Sequence, residues 1–440
     1  MIMKHLGIFV LGSLFLSACS TAIQAATNES PSSETSAELA TSKFMSDNSQ
    51  TETGGFDDSI VLLPEEEPPL LANSEFSTDF NRHTVPYSEF LTGGPPKDGI
   101  PAIDSPRFID VERADLWLRP EEPVIAVIAG ETAKAYPTQV LLWHEIVNDT
   151  VGKLDLSVTF CPLCNTGIAY NRQFDGRRLD FGATGLLRFS NLVMYDRQTE
   201  TWWQQATGEG IVGEYAGRQL EFYPTTMISW EEFKNTFPNG QVLSRDTGFE
   251  RSYGTNPYPG YDNINRSPGL YRGPETPGIL SAMARILTVD FDTEAVAYPF
   301  DVLQDLRVVN DRVADNQIVV FWQPGTASAL GPSLSSPWSQ PPGNIEWEPE
   351  TVSALDALTA TDNGDVGSAT AFIREAEGRP LTFIWNGEII LDDQTGSEWN
   401  VLGQAIDGPL AGTQLKPVVA INHFWFSWAA FKPDTRIYQP

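Results

Sequence analysis

The stretch GEGIVGEYAGRQL, residues 208–220, returns later in the chain as GQAIDGPLAGTQL, residues 403–415. The two stretches share three glycines, an isoleucine, an alanine, a glutamine and a leucine at identical spacing. A Trp-x-x-Phe sequence and then a proline follow each of them. Because a long spaced pattern of this kind marks a repeated structural unit, it predicts that the chain contains two related copies.

Further matched blocks occur in the same order on both sides of this pair. They are 135–141 with 297–303, 147–149 with 309–311, 176–181 with 378–383, and 196–203 with 392–399. We therefore expect two tandem copies of a related β-rich unit, residues 76–275 and 276–440, packed as one body. An insertion is expected within 331–377 of the second copy, and residues 251–272 form the loop between copies.

Most of the local sequence is typical of β-strands. Residues 124–128 and 154–160 are rich in β-branched side chains and are bounded by turn formers. One short helix is predicted over residues 230–237, with Ser229 as N-cap and Glu232 three residues later. The sequence contains neither a Gly-rich phosphate loop nor an alternating βαβ pattern. Together these features predict a mainly β fold with few short helices.

Residues 1–18 have the features of a secretion signal. Lys4 is followed by a short apolar run that ends in Leu-Ser-Ala-Cys, with the cysteine at position 19. This ending resembles the lipobox of bacterial lipoproteins, which implies that Cys19 carries lipid and begins the mature chain. The alternative is an ordinary cleaved signal with a chance cysteine. The prediction is an extracytoplasmic, lipid-anchored protein of the cell envelope or periplasm, held at the outer membrane if the cell has two membranes.

Residues 19–75 are predicted to be a disordered acidic tether, because they are rich in Ser, Thr, Glu and Asn and lack a hydrophobic period. The whole chain has 28 basic and 58 acidic residues, a net charge of −30. A charge of this sign repels nucleic acid and anionic membrane surfaces, so we expect no nucleic-acid partner. The only membrane contact expected is through the N-terminal lipid, and no protein partner can be named.

The candidate site is a Cys-x-x-Cys pair, Cys161 and Cys164, with His144 on the preceding strand of a predicted hairpin. The second copy has Gln323 and Thr326 at the cysteine positions, and Leu306 at the histidine position. The second copy keeps the proline that lies between the two cysteine positions. The thiols and the imidazole are therefore not needed to form this turn, which favours a functional role.

Two thiolates and an imidazole are suitable ligands for copper or zinc. Met194 is the preferred fourth ligand and would favour copper, with Asp196 and His423 as further candidates. The alternatives are a thiol–disulfide oxidoreductase that uses the same cysteine pair, and a non-catalytic surface module that binds through its aromatic residues. Whether the protein is an enzyme stays open at this point.

Three strings also resemble a known family: WHEIVND at 143–149, TFCPLCNTG at 159–167 and SNLVMYDRQT at 190–199. They are similar to exported bacterial and archaeal proteins catalogued as domain of unknown function 3179. The resemblance extends over most of residues 80–440. It implies no activity, substrate or fold, but it places His144, Cys161, Cys164 and Met194 inside the signature strings.

Overall fold

The hairpin that leads into the Cys-Pro-Leu-Cys motif illustrates how the chain builds its sheets. The computed structural model describes residues 62–69, 72–331 and 364–440. In this hairpin the pairing runs from Val151 opposite Leu154 to Ile146 opposite Thr159. Gly152 forms the turn with a φ of +60°, a conformation that favours glycine. The hairpin predicted from the sequence is therefore present.

The first half of the chain, residues 76–275, forms three main sheets and a small ribbon. Its strands are β1 (Phe90–Thr92), β2 (Phe108–Asp110), β3 (Pro123–Ala129), β4 (Thr132–Pro137), β5 (Ile146–Val151), β6 (Leu154–Cys161), β7 (Thr166–Asn171), β8 (Gln173–Phe174), β9 (Arg177–Arg178), β10 (Phe181–Arg188), β11 (Asn191–Asp196), β12 (Trp202–Gln204), β13 (Gly210–Val212), β14 (Phe222–Tyr223), β15 (Thr226–Ser229) and β16 (Gln241–Leu243). The sheet orders are β1-β10-β11-β12-β13, β14-β7-β6-β5 and β15-β3-β4-β16-β2, and β8 pairs with β9.

The second half, residues 276–440, also forms three main sheets and a ribbon. Its strands are β17 (Arg285–Asp290), β18 (Ala295–Pro299), β19 (Val308–Val313), β20 (Asn316–Gln323), β21 (Ser368–Ile373), β22 (Glu375–Ala376), β23 (Arg379–Pro380), β24 (Phe383–Trp385), β25 (Ile390–Asp392), β26 (Glu398–Trp399), β27 (Ala405–Asp407), β28 (Lys416–Pro417), β29 (Ala420–Phe424) and β30 (Arg436–Ile437). The sheet orders are β29-β17-β18-β30, β19-β20-β21-β28 and β24-β25-β26-β27, and β22 pairs with β23.

Short helices connect these strands. They are α1 (Ala72–Glu75), α2 (Val111–Ala114), α3 (Thr138–Leu141), α4 (Trp230–Thr236), α5 (Phe300–Leu306) and α6 (Trp425–Ala429), with 3-10 turns at Tyr87–Glu89 and Pro162–Cys164. The helix predicted over 230–237 is α4, and the Ser229 side chain accepts from the backbone N–H of Glu232 over 3.1 Å. The fold is thus mainly β with few short helices, as predicted.

One hydrophobic cluster contains residues of both halves. Ala126 and Trp230 of the first half lie in the same buried cluster as Phe321 and Trp399 of the second half. A separate cluster contains Cys161 and Cys164 together with residues of β7, β10 and β11, and it includes Ile421 of the second half. Because removing apolar surface from water is the main driving force of folding, the shared cluster stabilises the two halves together.

Several sequence predictions fall outside the described residues. These are the signal over 1–18, the lipidated Cys19, most of the tether over 19–75 and most of the insertion expected within 331–377. The last part of that predicted insertion is strand, because β21 begins at Ser368. Among the helices that the structure describes, none is long and apolar enough to cross a membrane.

The position of His144 differs from the sequence prediction. The hairpin strand was expected to begin near residue 140, but residues 138–141 form α3 and β5 begins only at Ile146. The backbone N–H of His144 donates to the carbonyl oxygen of Leu141, so His144 lies in the turn that ends this helix. Asn148, rather than His144, is paired with Ser157.

Candidate functional site

The Cys-Pro-Leu-Cys motif forms a tight turn between β6 and β7. Cys161 is the last residue of β6, and Pro162–Cys164 form one turn of 3-10 helix, which proline favours at its first position. Asn165 ends that turn with a φ of +54° and a ψ of +38°, the left-handed conformation that asparagine tolerates. The turn holds both sulfur atoms within the body of the protein.

Both sulfur atoms contact one backbone oxygen. The thiol of Cys164 donates to the carbonyl oxygen of Ser190 over 3.4 Å, and the thiol of Cys161 donates to the same oxygen over 3.7 Å. Cys164 has no solvent exposure and Cys161 only 1 %. The cysteines are not joined by a disulfide. They therefore form a buried dithiol that is organised around a single acceptor.

The turn that supplies this oxygen is strained. Arg188 pairs with Asn191, so Phe189 and Ser190 are the two turn residues, with φ angles of +54° and +65°. A two-residue turn with both φ angles positive normally contains asparagine and glycine, because other side chains are disfavoured there. Strain of this kind costs on the order of 1–3 kcal/mol per residue and occurs preferentially at functional sites.

Packing holds the strained turn in place. The ring of Phe189 lies 5.6 Å from the ring of Phe431, and the guanidinium of Arg188 lies 4.5 Å from the centre of the Phe189 ring. Arg188 is itself paired with Glu89 over 2.6 Å. The surrounding structure therefore fixes a turn conformation that its own residues disfavour.

A buried amide network ties the same turn to the strands that flank the cysteines. The Asn191 side chain donates to the Gln205 side-chain oxygen over 2.8 Å. The Gln205 amide donates to the Thr159 hydroxyl over 2.9 Å and to the Thr166 carbonyl over 3.2 Å. Thr159 lies on β6 and Thr166 on β7, so Gln205 links the Ser190 turn to both strands of the motif.

Burial keeps the Cys161 thiol protonated. Desolvation raises the pKa of Cys161 well above its usual value, and the neighbouring Cys164 and Glu145 raise it further. The backbone N–H of Leu192 acts in the opposite direction on the Cys161 sulfur, but its effect is smaller. Cys161 is therefore a thiol at neutral pH, and its thiolate forms only when something replaces the proton.

Glu145 places a carboxyl group beside Cys161. Its backbone has a φ of +57°, donates to the Leu141 carbonyl over 2.7 Å and accepts from the Phe160 N–H over 2.7 Å. Burial raises the pKa of Glu145 to about 8, so the carboxyl group is mostly neutral at pH 7. A neutral acid of this kind adds no negative charge to the buried dithiol.

The second half uses the same backbone geometry for another side chain. Arg307 has a φ of +66°, donates to the Leu303 carbonyl over 2.8 Å and accepts from the Trp322 N–H over 2.8 Å. Its guanidinium lies over the Trp322 ring, 4.5 Å from the ring centre. The backbone conformation therefore does not require an acid, and the carboxyl group of Glu145 is specific to the dithiol site.

Both ring nitrogens of His144 are occupied by hydrogen bonds. Nδ1 donates to the Pro101 carbonyl over 2.7 Å, so Nε2 is the nitrogen that accepts from the Tyr253 hydroxyl over 2.6 Å. Burial lowers the pKa of His144 to about 4, which keeps the ring neutral. In this arrangement His144 would have to exchange Tyr253 for an ion before it could act as a ligand.

Met194 and His423, two other predicted ligands, have different surroundings. Met194 is fully buried in the same cluster as the two cysteines. The Thr166 hydroxyl donates to the Cys164 carbonyl over 3.1 Å, so it accepts from Nδ1 of His423 over 2.8 Å. Within the described residues, Nε2 of His423 has no hydrogen-bond partner, and burial lowers the pKa of this ring to about 3.

Asp196, the remaining candidate ligand, serves the fold. Its carboxylate accepts from the Trp203 indole over 2.9 Å and from the Thr199 N–H over 2.7 Å. Among residues 62–69, 72–331 and 364–440, no group of three or more His, Cys, Asp or Glu side chains is arranged to hold a metal ion. The structure thus brings together Cys161, Cys164 and Met194, while His144 lies in a separate hydrogen-bond network.

Two tyrosines that the sequence did not single out complete the site. Tyr258 and Tyr261 pack against the cluster that contains both cysteines. Burial raises the pKa of each phenol, and the nearby Cys161 raises both of them further. Both lie in the predicted loop between copies, whose richness in tyrosine was the available signal. For Glu145 the signal was weaker, since it only adjoins His144 in the sequence.

The family comparison agrees with the resemblance noted from the sequence. The family described as "Protein of unknown function (DUF3179)" matches residues 97–435. The chain belongs to this family. The DUF3179 match spans both halves of the fold and includes the dithiol, Glu145 and the two tyrosines. No curated protein and no solved structure matches the chain.

Proposed function

We propose that the Cys161–Cys164 dithiol binds a thiophilic metal ion, with Cu(I) favoured over zinc. One observation carries the proposal: two buried thiols converge on a single carbonyl oxygen, that of Ser190, at 3.4 and 3.7 Å. Soft thiolate and thioether ligands select Cu(I). A bound ion would replace the two thiol protons and lie between the sulfurs, with Met194 as the nearest soft neighbour in the cluster.

The ligand chemistry of the pocket supports copper over zinc. Structural zinc takes four ligands, usually cysteine and histidine. The groups that surround this dithiol are a thioether, two phenols and the carboxyl group of Glu145, and His144 is already engaged with Pro101 and Tyr253. Zinc remains possible only if His144 or His423 turns toward the sulfurs.

The charge of the pocket does not separate copper from zinc, because two thiolates neutralise a divalent ion but leave one negative charge with Cu(I). A buried net charge is costly. Because Glu145 has a pKa of about 8, its carboxyl group is mostly neutral at pH 7 and adds no further charge. The Leu192 N–H, which favours a negative sulfur at Cys161, would partly offset the remaining charge.

A thiol–disulfide oxidoreductase is the second candidate, since the same convergence on Ser190 would allow a disulfide to form. Two features count against it. The attacking species in exchange is the thiolate, and burial raises the pKa of Cys161 well above its usual value. Both sulfurs are also closed off from a protein partner in this arrangement.

A Cu(I) competition titration tests the metal proposal. The full-length protein is purified from the cell envelope without oxygen and titrated against a chromophoric Cu(I) chelator. We expect one copper per chain, a first coordination shell made of sulfur in X-ray absorption, and loss of binding in the Cys161→Ser/Cys164→Ser variant.

Single variants then separate the candidate ligands. Met194→Leu is expected to weaken Cu(I) binding, and His144→Gln to leave it within twofold. Equal copper retention by the wild type and the double cysteine variant would overturn the proposal. Reduction of a model disulfide by the dithiol, which is itself oxidised to a Cys161–Cys164 disulfide, would instead favour the oxidoreductase. If neither copper binding nor this reaction is found, the non-catalytic surface module is favoured.

We also propose that lipid on Cys19 anchors this site at the outer face of a membrane, with residues 19–75 as a spacer. The lipobox-like ending at residues 16–19 and the acidic composition of the spacer support this placement. Globomycin, which blocks lipoprotein signal cleavage, should cause an unprocessed precursor to accumulate, and Cys19→Ser should release the protein from membranes. Membrane retention of the Cys19→Ser protein would contradict the anchor.

The two halves, we further propose, are copies of one unit. In support, β14-β7-β6-β5 has the same order as β28-β21-β20-β19, β15-β3-β4-β16 the same as β29-β17-β18-β30, and β10-β11-β12-β13 the same as β24-β25-β26-β27. Matching hydrogen bonds also recur. Trp203 donates to Asp196 over 2.9 Å, and Trp399 donates to Asp392 over 3.0 Å.

A further inference from the structure

The buried dithiol needs a route by which an ion can reach it. Cys161 and Cys164 have at most 1 % solvent exposure. Most of their surroundings are β-strands whose ladders would have to break before the sulfurs became accessible. The exception is the segment of residues 251–272, here called the cover segment, which supplies Tyr258 and Tyr261.

The cover segment belongs to no sheet. Within the described part of the chain, all of its backbone–backbone hydrogen bonds are local turns, for example from Thr255 to Ser252 and from Tyr261 to Tyr258. Its composition is rich in glycine, proline, asparagine and tyrosine. Segments held without ladder hydrogen bonds open at a lower free energy than strands do.

Hydrogen bonds and an ion pair anchor Tyr253, Asn256 and Asp262 of the cover segment to the body. Tyr253 bonds to His144 over 2.6 Å, and Asn256 donates to the Leu330 carbonyl over 2.6 Å. Asp262, next to Tyr261, forms a 2.8 Å ion pair with Arg285 at the start of β17. The first anchor lies in the first half of the chain and the other two contact the second half.

The Asp262–Arg285 pair is the charged contact among these anchors. Both side chains are largely buried, with 17 % and 12 % of their surfaces exposed. Arg285 also donates to the Ser328 hydroxyl over 2.7 Å and lies 5.1 Å from the centre of the Phe424 ring. The guanidinium is thus held by the second half whether or not Asp262 is present, so the ion pair can release the cover segment without unfolding β17.

We propose that residues 251–272 are a movable cover that opens to admit a soft metal ion to the dithiol and then closes over it, with the Asp262–Arg285 pair as its latch. The proposal deepens the metal-binding function, because it names how the same site is reached. Tyr258 and Tyr261 exclude water from the sulfurs while the cover is closed. Opening breaks the contacts of Asp262 with Arg285 and Ser328, the hydrogen bonds of Tyr253 and Asn256, and aromatic packing, but no strand pairing.

Thiol labelling without any metal tests the cover, so its outcome is separate from that of the copper titration. The full chain carrying Cys19→Ser has only Cys161 and Cys164 as thiols. It is incubated with excess maleimide at increasing, non-denaturing urea concentrations. We expect slow labelling whose rate is almost independent of urea, because local opening exposes little surface.

Two ion-pair variants provide the comparison. Asp262→Asn is expected to speed labelling at least tenfold. The matched control is Asp290→Asn, which removes a 2.8 Å ion pair to Lys432 elsewhere in the second half and should change the rate less than twofold. If Asp262→Asn does not fold, Tyr253→Phe removes a second anchor and is also expected to speed labelling.

Two results would overturn the proposal. One is a wild-type labelling rate that follows global unfolding, with the full urea dependence of the unfolding transition. The other is an equal change of rate in the Asp262→Asn and Asp290→Asn variants, since the latch would then be no more important than any ion pair.

Discussion

The thiol of Cys164 donates over 3.4 Å to the carbonyl oxygen of Ser190, a residue held at a φ of +65°. The contact joins a turn that the Cys-Pro-Leu-Cys sequence favours to a turn that the Phe-Ser sequence disfavours. The hairpin between β24 and β25 in the second half contains Asn386 and Gly387, the residue types that suit a tight turn. Of these two hairpins, only the one that contacts the thiols has two residues other than glycine at positive φ.

Ser190→Gly is expected to raise the free energy of unfolding by about 0.5 to 1 kcal/mol, because glycine adopts a positive φ without steric cost but loses more entropy on folding. The Ser190 hydroxyl interacts with the Tyr261 phenol and lowers its pKa, so its loss removes one side-chain contact. Urea denaturation measures the change. Ser190→Ala retains the strained Cβ and should give no gain, and an equal gain from both variants would refute the strain argument.

Gln205→Met is expected to destabilise the fold by about 2 kcal/mol, because Asn191 and Thr166 would lose buried hydrogen-bond partners. It should also weaken Cu(I) binding at least tenfold by loosening the Ser190 turn. Gln241→Met, on an exposed position of β16, is the matched control and should stay within about 0.5 kcal/mol of the wild type. If the Gln205→Met protein is destabilised but binds Cu(I) with unchanged affinity, the buried amide network around Gln205 has only a structural role.

Glu145→Gln is expected to change how stability depends on pH. The folded-state pKa of Glu145 is about 8, above the ordinary 4.5, so the folded protein retains a proton that the unfolded chain releases. The stability of the wild type relative to the variant is therefore highest below pH 4.5 and is lost as pH rises toward 8, with a slope of up to about 1.4 kcal/mol per unit.

Denaturation of both proteins between pH 4 and 9 checks this. Glu294→Gln is the control of opposite sign, because hydrogen bonds from the Ala314 N–H and Arg436 lower the pKa of Glu294. There the wild type should gain stability relative to the variant as pH rises through the carboxylate range. A Glu145→Gln difference that does not vary with pH would contradict the buried, neutral carboxyl group.

Much of the fold was accessible from the sequence, because its signals are local. The β-rich run at 154–160 and the turn residues around Gly152 predicted the β5–β6 hairpin, and Ser229 with Glu232 predicted the start of α4. The prediction that a strand runs through His144 was wrong. Residues 138–141 are a buried mixture of apolar and polar residues, and four residues are too few for their pattern to distinguish a helix from a strand.

The candidate site was less accessible, because its parts are distant in sequence. Nothing local in the sequence indicates that the carbonyl of Ser190 contacts both thiols, or that Tyr261 lies over them. Backbone oxygens carry no sequence signature, and contacts across a hundred residues depend on how the sheets pack. The cysteine pair was recognisable because its spacing is local and because the second half lacks it.

The proposed duplication predicts matched effects at Asn148 and Asn310. Asn148 donates to the Phe181 carbonyl over 2.8 Å and accepts from the Phe181 N–H over 3.0 Å, and Asn310 makes the same two bonds to Phe383 at 2.7 and 2.9 Å. Each Asn→Ala change therefore leaves the backbone N–H and carbonyl of one phenylalanine, Phe181 or Phe383, without these hydrogen-bond partners. We expect the free energy of unfolding to fall by about 1 to 2 kcal/mol in Asn310→Ala. In Asn148→Ala it should fall by about 1 kcal/mol more, because the Asn148 side chain also donates to Asp104 over 2.7 Å.

Thermal and urea denaturation of both variants measure these losses, with Asn239→Ala in an exposed turn as a control expected within about 0.5 kcal/mol. The duplication also predicts that Asn310→Ala leaves Cu(I) binding unchanged, because the second half has Gln323 and Thr326 in place of the cysteines. Since Asn148 fixes β10, which leads into the strained turn at Ser190, its loss should weaken copper binding as well as stability. If Asn310→Ala cost almost nothing while Asn148→Ala cost several kcal/mol, the two bonds would not be equivalent parts of one repeated unit.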